Sequence, residues 1–146
     1  MKNILILLIL SAFSLSLSAQ REASDYKSAT LTYAGSADTV IVYLGGTSAA
    51  TAQLFRDNGI LEIGLRTDSL SGNPVASAYV EYSYDEGGSH WHRHTTLCTI
   101  NGAAPQFQTH SDADCAALRA RVVCIAAATT QSERVRVAWR WKRNNN

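Results

Sequence analysis

The segment Ser89-His90-Trp91-His92-Arg93-His94 holds three of the four histidines of the 146-residue chain at alternate positions. Imidazoles at that spacing on an extended strand lie on one face, and neighbours such as His90 and His92 can reach one metal ion. His90 and His94 stand ~13 Å apart along such a strand, so the three cannot close one tetrahedral site. A pair would need Glu81 from a facing strand, or His110 or Asp112 from the sequence that follows. Beside Arg93, the histidines read instead as the solvated face of a strand, with no metal ligand among them. Other chemistry is sparse. The chain has no Gly-x-Ser-x-Gly, no His-Glu-x-x-His and no glycine-rich phosphate loop; Tyr43-Leu44-Gly45-Gly46-Thr47-Ser48 has the glycines but no following lysine. Asp85 and Glu86 are adjacent carboxylates in a turn, a placement that rarely brings two groups to one bond. The sequence therefore assigns no catalytic, cofactor or metal residue and reads as non-enzymatic.

The elements that hold these residues are β-like. Short runs rich in Val, Ile, Thr, Tyr and Ala recur at 29–33, 39–44, 59–67, 76–84, 90–100, 118–128 and 134–142, separated by Gly, Asn, Ser and Asp. The spacing predicts an all-β fold: a single antiparallel β-sandwich, immunoglobulin-like or jelly-roll-like, of about seven or eight strands. Only 47–57 and 112–120 could hold a helical turn. A hairpin is expected around Asp85-Glu86-Gly87-Gly88, where glycine tolerates positive φ. Pairing Tyr84 with Ser89 would set Tyr82 opposite Trp91 on the buried face, and Glu81 and Tyr79 opposite His92 and His94 on the other. A second hairpin is expected from 118 to 142. Its apolar rows, Leu118, Ala120, Val122 and Cys124 with Val135, Val137, Trp139 and Trp141, would share one face, because a one-residue slip puts a row into water. Arg119, Arg121, Arg136, Arg140 and Lys142 would then form a basic stripe on the opposite face.

Residues 1–19 combine Lys2, an apolar run from Ile4 to Leu10 and a Ser/Leu/Ala stretch ending at Ala19, the pattern of a secretory signal cleaved after Ala19. The run is short of the ~20 apolar residues that span a bilayer. What remains is 127 residues, enough for one domain: a flexible segment at 20–26, the sandwich at 27–143 and a disordered Asn tail at 144–146. Without Lys2 the chain carries 12 basic and 12 acidic side chains, so no global field gathers nucleic acid or anionic lipid. Cys98, Cys115 and Cys124 allow one internal disulfide and leave one thiol over. Cys124, on the apolar row, is expected as the buried free cysteine, with Cys98 and Cys115 the pair most able to bond.

Two resemblances add to this reading. Ser83, Asp85, Gly87 and Ser89 fall on the pattern of the Asp-box, the hairpin motif Ser-x-Asp-x-Gly-x-Thr-Trp of sialidase-like propellers, with His90 placing Trp91 one position late. In that motif the residues stabilise the turn and catalyse nothing. More widely, residues 58–143 resemble the small β-sandwich proteins of phage virions and related bacterial secreted proteins, in the order "LEIGLRTDSLSG", "YSYDEGGSHW" and "LRARVVCIAAATTQSERVRVAWRWKR". That resemblance implies a decoration or tail-accessory role with no catalytic residues. The function expected is an exported structural or binding module of the envelope, the cell exterior or a virion. Its partner would be a protein or a second copy. The alternative is a carbohydrate-binding module using exposed Trp or Tyr, with or without a bound metal ion; buried tryptophans argue against it.

Overall fold

The computed structural model describes residues 22–32, 39–52, 58–101, 104–127 and 132–143. The proposed leader, its cleavage point and the Asn tail lie outside these residues. Eight strands are described and no helix: β1 Glu22–Thr32, β2 Thr39–Tyr43, β3 Gly59–Ser71, β4 Val75–Ser83, β5 His92–Asn101, β6 Gln106–Cys115, β7 Arg119–Ala126 and β8 Ser132–Arg143. They form two four-stranded antiparallel sheets, β1-β8-β3-β6 and β2-β7-β4-β5. This order is that of a jelly roll, the second of the two sandwich types the sequence allows. The strand β1 begins at Glu22, so backbone pairing reaches into the segment expected to precede the sandwich.

Alternation explains the facing. In β3 the buried residues are Gly59, Leu61, Ile63, Leu65 and Thr67, and in β8 Glu133, Val135, Val137, Trp139 and Trp141. From the other sheet Ala76, Ala78, Val80 and Tyr82 of β4 and Ala120, Val122 and Cys124 of β7 meet them in one core. Gly59 lies under the Trp141 indole, where a Cβ would come within 2.4 Å of Nε1; no larger residue fits there while Trp141 stays in the core.

Here the expected 118–142 hairpin is corrected. β7 pairs with β2 and β4, whereas β8 pairs with β1 and β3. Both apolar rows are buried as anticipated, apart from half-buried Leu118, but they face each other across the core instead of lying side by side. The period-2 pattern demands a common interior and is met equally by either arrangement. The basic stripe is consequently split, with Arg119 and Arg121 on one outer face and Arg136, Arg140 and Lys142 on the other.

The strand without an anticipated counterpart is β6, "QFQTHSDADC", whose side chains are almost all exposed or half-exposed. It is a sheet edge with little apolar periodicity to reveal it. Residues 112–115, within one of the two possible helical segments, belong to it.

Candidate functional site

The hairpin after β4 sets the geometry of the histidine segment. Asp85 accepts the backbone N–H of Ser89 (2.9 Å) and of His90 (2.8 Å) and the hydroxyl of Ser83 (3.2 Å). These bonds to the ionised form, the two backbone donors first, hold its carboxyl well below the usual carboxylate range. Gly88 turns the chain at φ 64°, and a Cβ there would meet the Ala49 carbonyl oxygen at 2.8 Å. The buried Arg119 side chain fastens the turn from beneath, donating to the carbonyl oxygens of Ala49 and Glu86.

The register beyond this turn differs from the expected one. Tyr82 pairs with His92 and Glu81 with Arg93, then irregularities at Val80/Glu81 and Ala78/Tyr79 pass over His94 and Leu97. A bulge inserts a residue and breaks strict alternation, so the three histidines do not share a face. His90 is exposed at the turn, with Nδ1 3.4 Å from Asp85. His92 is exposed beside Tyr84. His94 instead stacks on Tyr82, ring centroids 4.4 Å apart, and stands 5.3 Å from His110 of β6. Its Nε2 is 3.7 Å from Asp112, which also accepts the Tyr82 hydroxyl at 3.1 Å.

Trp91 is likewise displaced from its expected place. Tyr82 is in the core, but Trp91 is half-buried on the outer face of β2-β7-β4-β5. Its indole lies 4.2 Å from the Arg121 guanidinium and edge-on to Tyr43, and its Nε1 donates to the Gly88 carbonyl oxygen at 2.7 Å. Glu81 faces this group and not the histidines, bonding Arg121 at 2.6 and 2.7 Å. Arg93 covers the Tyr79 ring at 3.7 Å. Charged and aromatic groups of this face are thus spent largely on one another.

Between the sheet edges β5 and β6 lies a polar seam of Tyr82, His94, His110, Asp112 and Cys115. The His110 Nε2 is buried with no hydrogen-bond partner among the described residues. Burial first, and then the neighbouring His94, lower its pKa, against the opposing influence of Asp112. Burial pushes the Cys115 thiol up, which makes it a poor nucleophile. Among the described residues no three His, Cys, Asp or Glu side chains converge as a metal site. Cys115 is an unbridged, buried thiol, so the expected Cys98–Cys115 bond is not formed: Cys115 ends β6 in one sheet, while Cys98 pairs with Ala78 in the other. Cys124 is buried, as anticipated, opposite Ala78.

The outer face of the other sheet is built differently. Three cross-strand rows run over β6, β3 and β8: Ser111, Glu62 and Arg140; Thr109, Gly64 and Ala138; Phe107, Arg66 and Arg136. The middle row is small, so a transverse groove of about 450 Å³ opens between the outer two and is continued by a second recess of about 250 Å³ along Phe107 and Arg136. At one wall Arg140 donates through Nε (2.9 Å) and Nη2 (2.5 Å) to Oε2 of Glu62. At the other, Asp68 is held between Arg66 and Arg136, each at 3.0 Å, and Phe107 is 66% exposed. This site is not legible in the sequence, because Phe107 lies in the strand that lacks apolar periodicity and its partners are ordinary surface residues until the register joins them. Trp139 and Trp141 are 4% exposed and belong to the core, as their place on the apolar row anticipated.

No family model matches the chain, and no curated protein matches it. Solved structures share its fold at low sequence identity. A structure of broad bean stain virus aligns with a TM-score of 0.54 at 7% identity, covering 88% of each chain. PirA aligns at 0.52 and 10% identity, over 84% of this chain and 98% of its own. Bacillus endospore appendages, which form disulfide-linked pili, align at 0.50 and 12% identity, over 87% and 93%. Viral and pilus proteins are therefore among the proteins this sandwich is similar to in fold.

Proposed function

We propose that the protein is an exported, non-enzymatic jelly-roll module that acts through its surface, by binding or assembly, in the envelope, outside the cell or on a virion. The observation that carries this reading is how its reactive side chains are used. Asp85 and Arg119 fasten a turn, Glu81 and Arg121 are covered by aromatic rings, and Asp112 is engaged by Tyr82. The open groove lies elsewhere, on a sheet face. A fold shared with pilus and viral proteins supports an assembly role. The Asp85 turn fits the structural use of an Asp-box, and the leader pattern at 1–19 supports export.

Fractionation of expressing cells with N-terminal sequencing tests the export: a secreted or periplasmic product starting at Gln20 is expected, and a cytoplasmic one with its leader intact overturns it. Assays against polysaccharide, ester and peptide substrates test the rest. Turnover lost in His94→Ala would overturn the non-enzymatic assignment, since His94, His110 and Asp112 are the nearest approach to an acid–base cluster. Titration of the protein with zinc should show no tight stoichiometric site that depends on His90 and His92.

The carbohydrate reading is supported on residues other than tryptophan. Phe107 and Tyr84 are the exposed large aromatics among the described residues.

A further inference from the structure

We infer that the transverse groove over β3, β6 and β8 binds an acidic saccharide, a glycan carrying uronate or sulfate groups; this rests on the reading of the protein as a surface-acting module. The first argument is shape. The outer rows are four residues apart along β3, or ~13 Å, and the Thr109-Gly64-Ala138 row between them lets a flat ring approach the backbone. Phe107 stands at the wall with two-thirds of its surface exposed, in a strand whose other side chains are mostly polar. A sugar ring presents axial C–H groups that stack on such a face, and no protein side chain covers it enough to bury it.

The second argument is hydrogen bonding. Both contacts from Arg140 fall on Oε2 of Glu62, so Oε1 takes no bond among the described residues. Thr109 and Ser111 add exposed hydroxyls on the neighbouring strand. Free carboxylate oxygens call for donors, and sugar hydroxyls supply them.

The third is charge. On this face β8 sets Arg134, Arg136, Arg140 and Lys142 at alternate positions and β3 adds Arg66, against Glu62 and Asp68 of β3 and Glu22 at the β1 register position opposite Lys142. The cations exceed the anions, although the chain as a whole is near neutral. A neutral glycan leaves that excess unused. A single-stranded nucleic acid would use it too, but its backbone repeats an anion at every nucleotide and offers few hydroxyl donors to the free oxygen of Glu62. A glycan with hydroxyls and anionic groups matches every wall.

The test is calorimetric titration of the purified protein with oligogalacturonate, a sulfated oligosaccharide, a neutral oligoglucan and oligothymidylate. Oligogalacturonate or the sulfated ligand should bind with Kd of about 1 mM or tighter, and the neutral glucan at least tenfold more weakly. Phe107→Ala should weaken binding by roughly tenfold, as loss of a stacking ring does. Gly64→Val should abolish it by filling the floor; the fold should survive, since a Cβ at Gly64 meets its nearest neighbour, the Phe107 ring, at 3.7 Å, ordinary contact. His92→Ala, at an exposed ring of the other sheet, should bind as wild type, and thermal melts would confirm that all three variants fold. Binding of no acidic glycan, equal binding of the neutral one, tighter binding of oligothymidylate, or indifference to both groove variants would each overturn the inference. An exported, folded protein that fails here still stands as a surface module, whereas a cytoplasmic product removes the reading on which the inference rests.

Discussion

Among the described residues each sheet has a cross-strand Glu–Arg pair on its outer face, and the two pairs have different surroundings. Glu81 and Arg121 are 14% and 16% exposed, with Trp91 over the guanidinium and Tyr43 behind it. Glu62 and Arg140 have the same chemistry and the same register relation, yet are 45% and 53% exposed beside Gly64 and Ala138. The neighbour decides what the pair becomes. Under an aromatic cover a carboxylate and a guanidinium form a structural tie, because little water competes for them. Next to small residues they become the wall of an open groove, with acceptors left for something else.

The largest effect expected tests the division between inside and outside on which both faces depend. Trp139→Asp places an unpaired carboxylate in the core under the groove and should leave no cooperative urea transition, since that burial costs several kcal/mol. Arg136→Asp, three residues away on the outer face, loses its pair with Asp68 and should cost about 1 kcal/mol. Equal effects would show that the facing of β8 is wrong.

The second test compares the pairs directly. Removing Glu81 strands Arg121 under Trp91, so Glu81→Ala should destabilise by roughly 2 kcal/mol, between the limits for exposed and buried pairs. Glu62→Ala should stay within about 0.5 kcal/mol in the same urea titration. A Glu62 effect as large as that of Glu81 would mean that the groove wall is structural and not free for a ligand.

Much of the fold was legible because it follows from burial. The alternation of β7 and β8 identified their inward rows, and the recurrence of short β-like runs left only 47–57 and 112–120 for a helical turn. Three things were not legible, each for a physical reason. Sheet membership of β7 and β8 is invisible to a pattern that asks only for a shared interior. β6 has too few buried side chains to print a period. The turn that sets Tyr82 opposite His92, and so leaves Trp91 out of the core, and the bulge that passes over His94 leave no mark in "HWHRHTTLC". The groove combines the first two failures: its rows exist only once β6 and β8 are set on either side of β3.

Acid sharpens the comparison at the turn that carries Trp91. With its carboxyl held below the usual range, Asp85 contributes stability that is present above the ordinary carboxylate value near 4 and is lost as pH falls toward its folded value. Asp85→Asn should therefore lower the urea midpoint at pH 7, and its deficit against wild type should shrink on going from pH 4 to pH 3. A deficit constant over that interval would mean that ionisation of Asp85 is not linked to folding and that the asparagine loses only its packing and hydrogen bonds. Trp91 fluorescence should report the loosening of this face while the groove still binds.

The smallest effect expected belongs to the seam at which the two sheets' edges meet. His110 is surrounded by His94 from β5 and, on its own strand, Asp112, which is tied to Tyr82 of β4, with Cys115 beyond. Burial and His94 favour its neutral form, and Asp112 offsets them only in part. The sign follows from proton uptake: an unfolded histidine takes a proton near pH 6.5 while folded His110 resists it, so stability falls as pH drops through that value and keeps falling until the folded group titrates. His110→Gln removes the resisting group and should flatten the dependence of the urea midpoint between pH 7.5 and 5.5. His94→Gln removes only the lesser cause and should flatten it partly, burial still acting on His110. An unchanged slope in His110→Gln would place the acid sensitivity elsewhere and leave the β5–β6 seam as inert as the aromatic-covered face, so that the groove alone would distinguish one side of the molecule from the other.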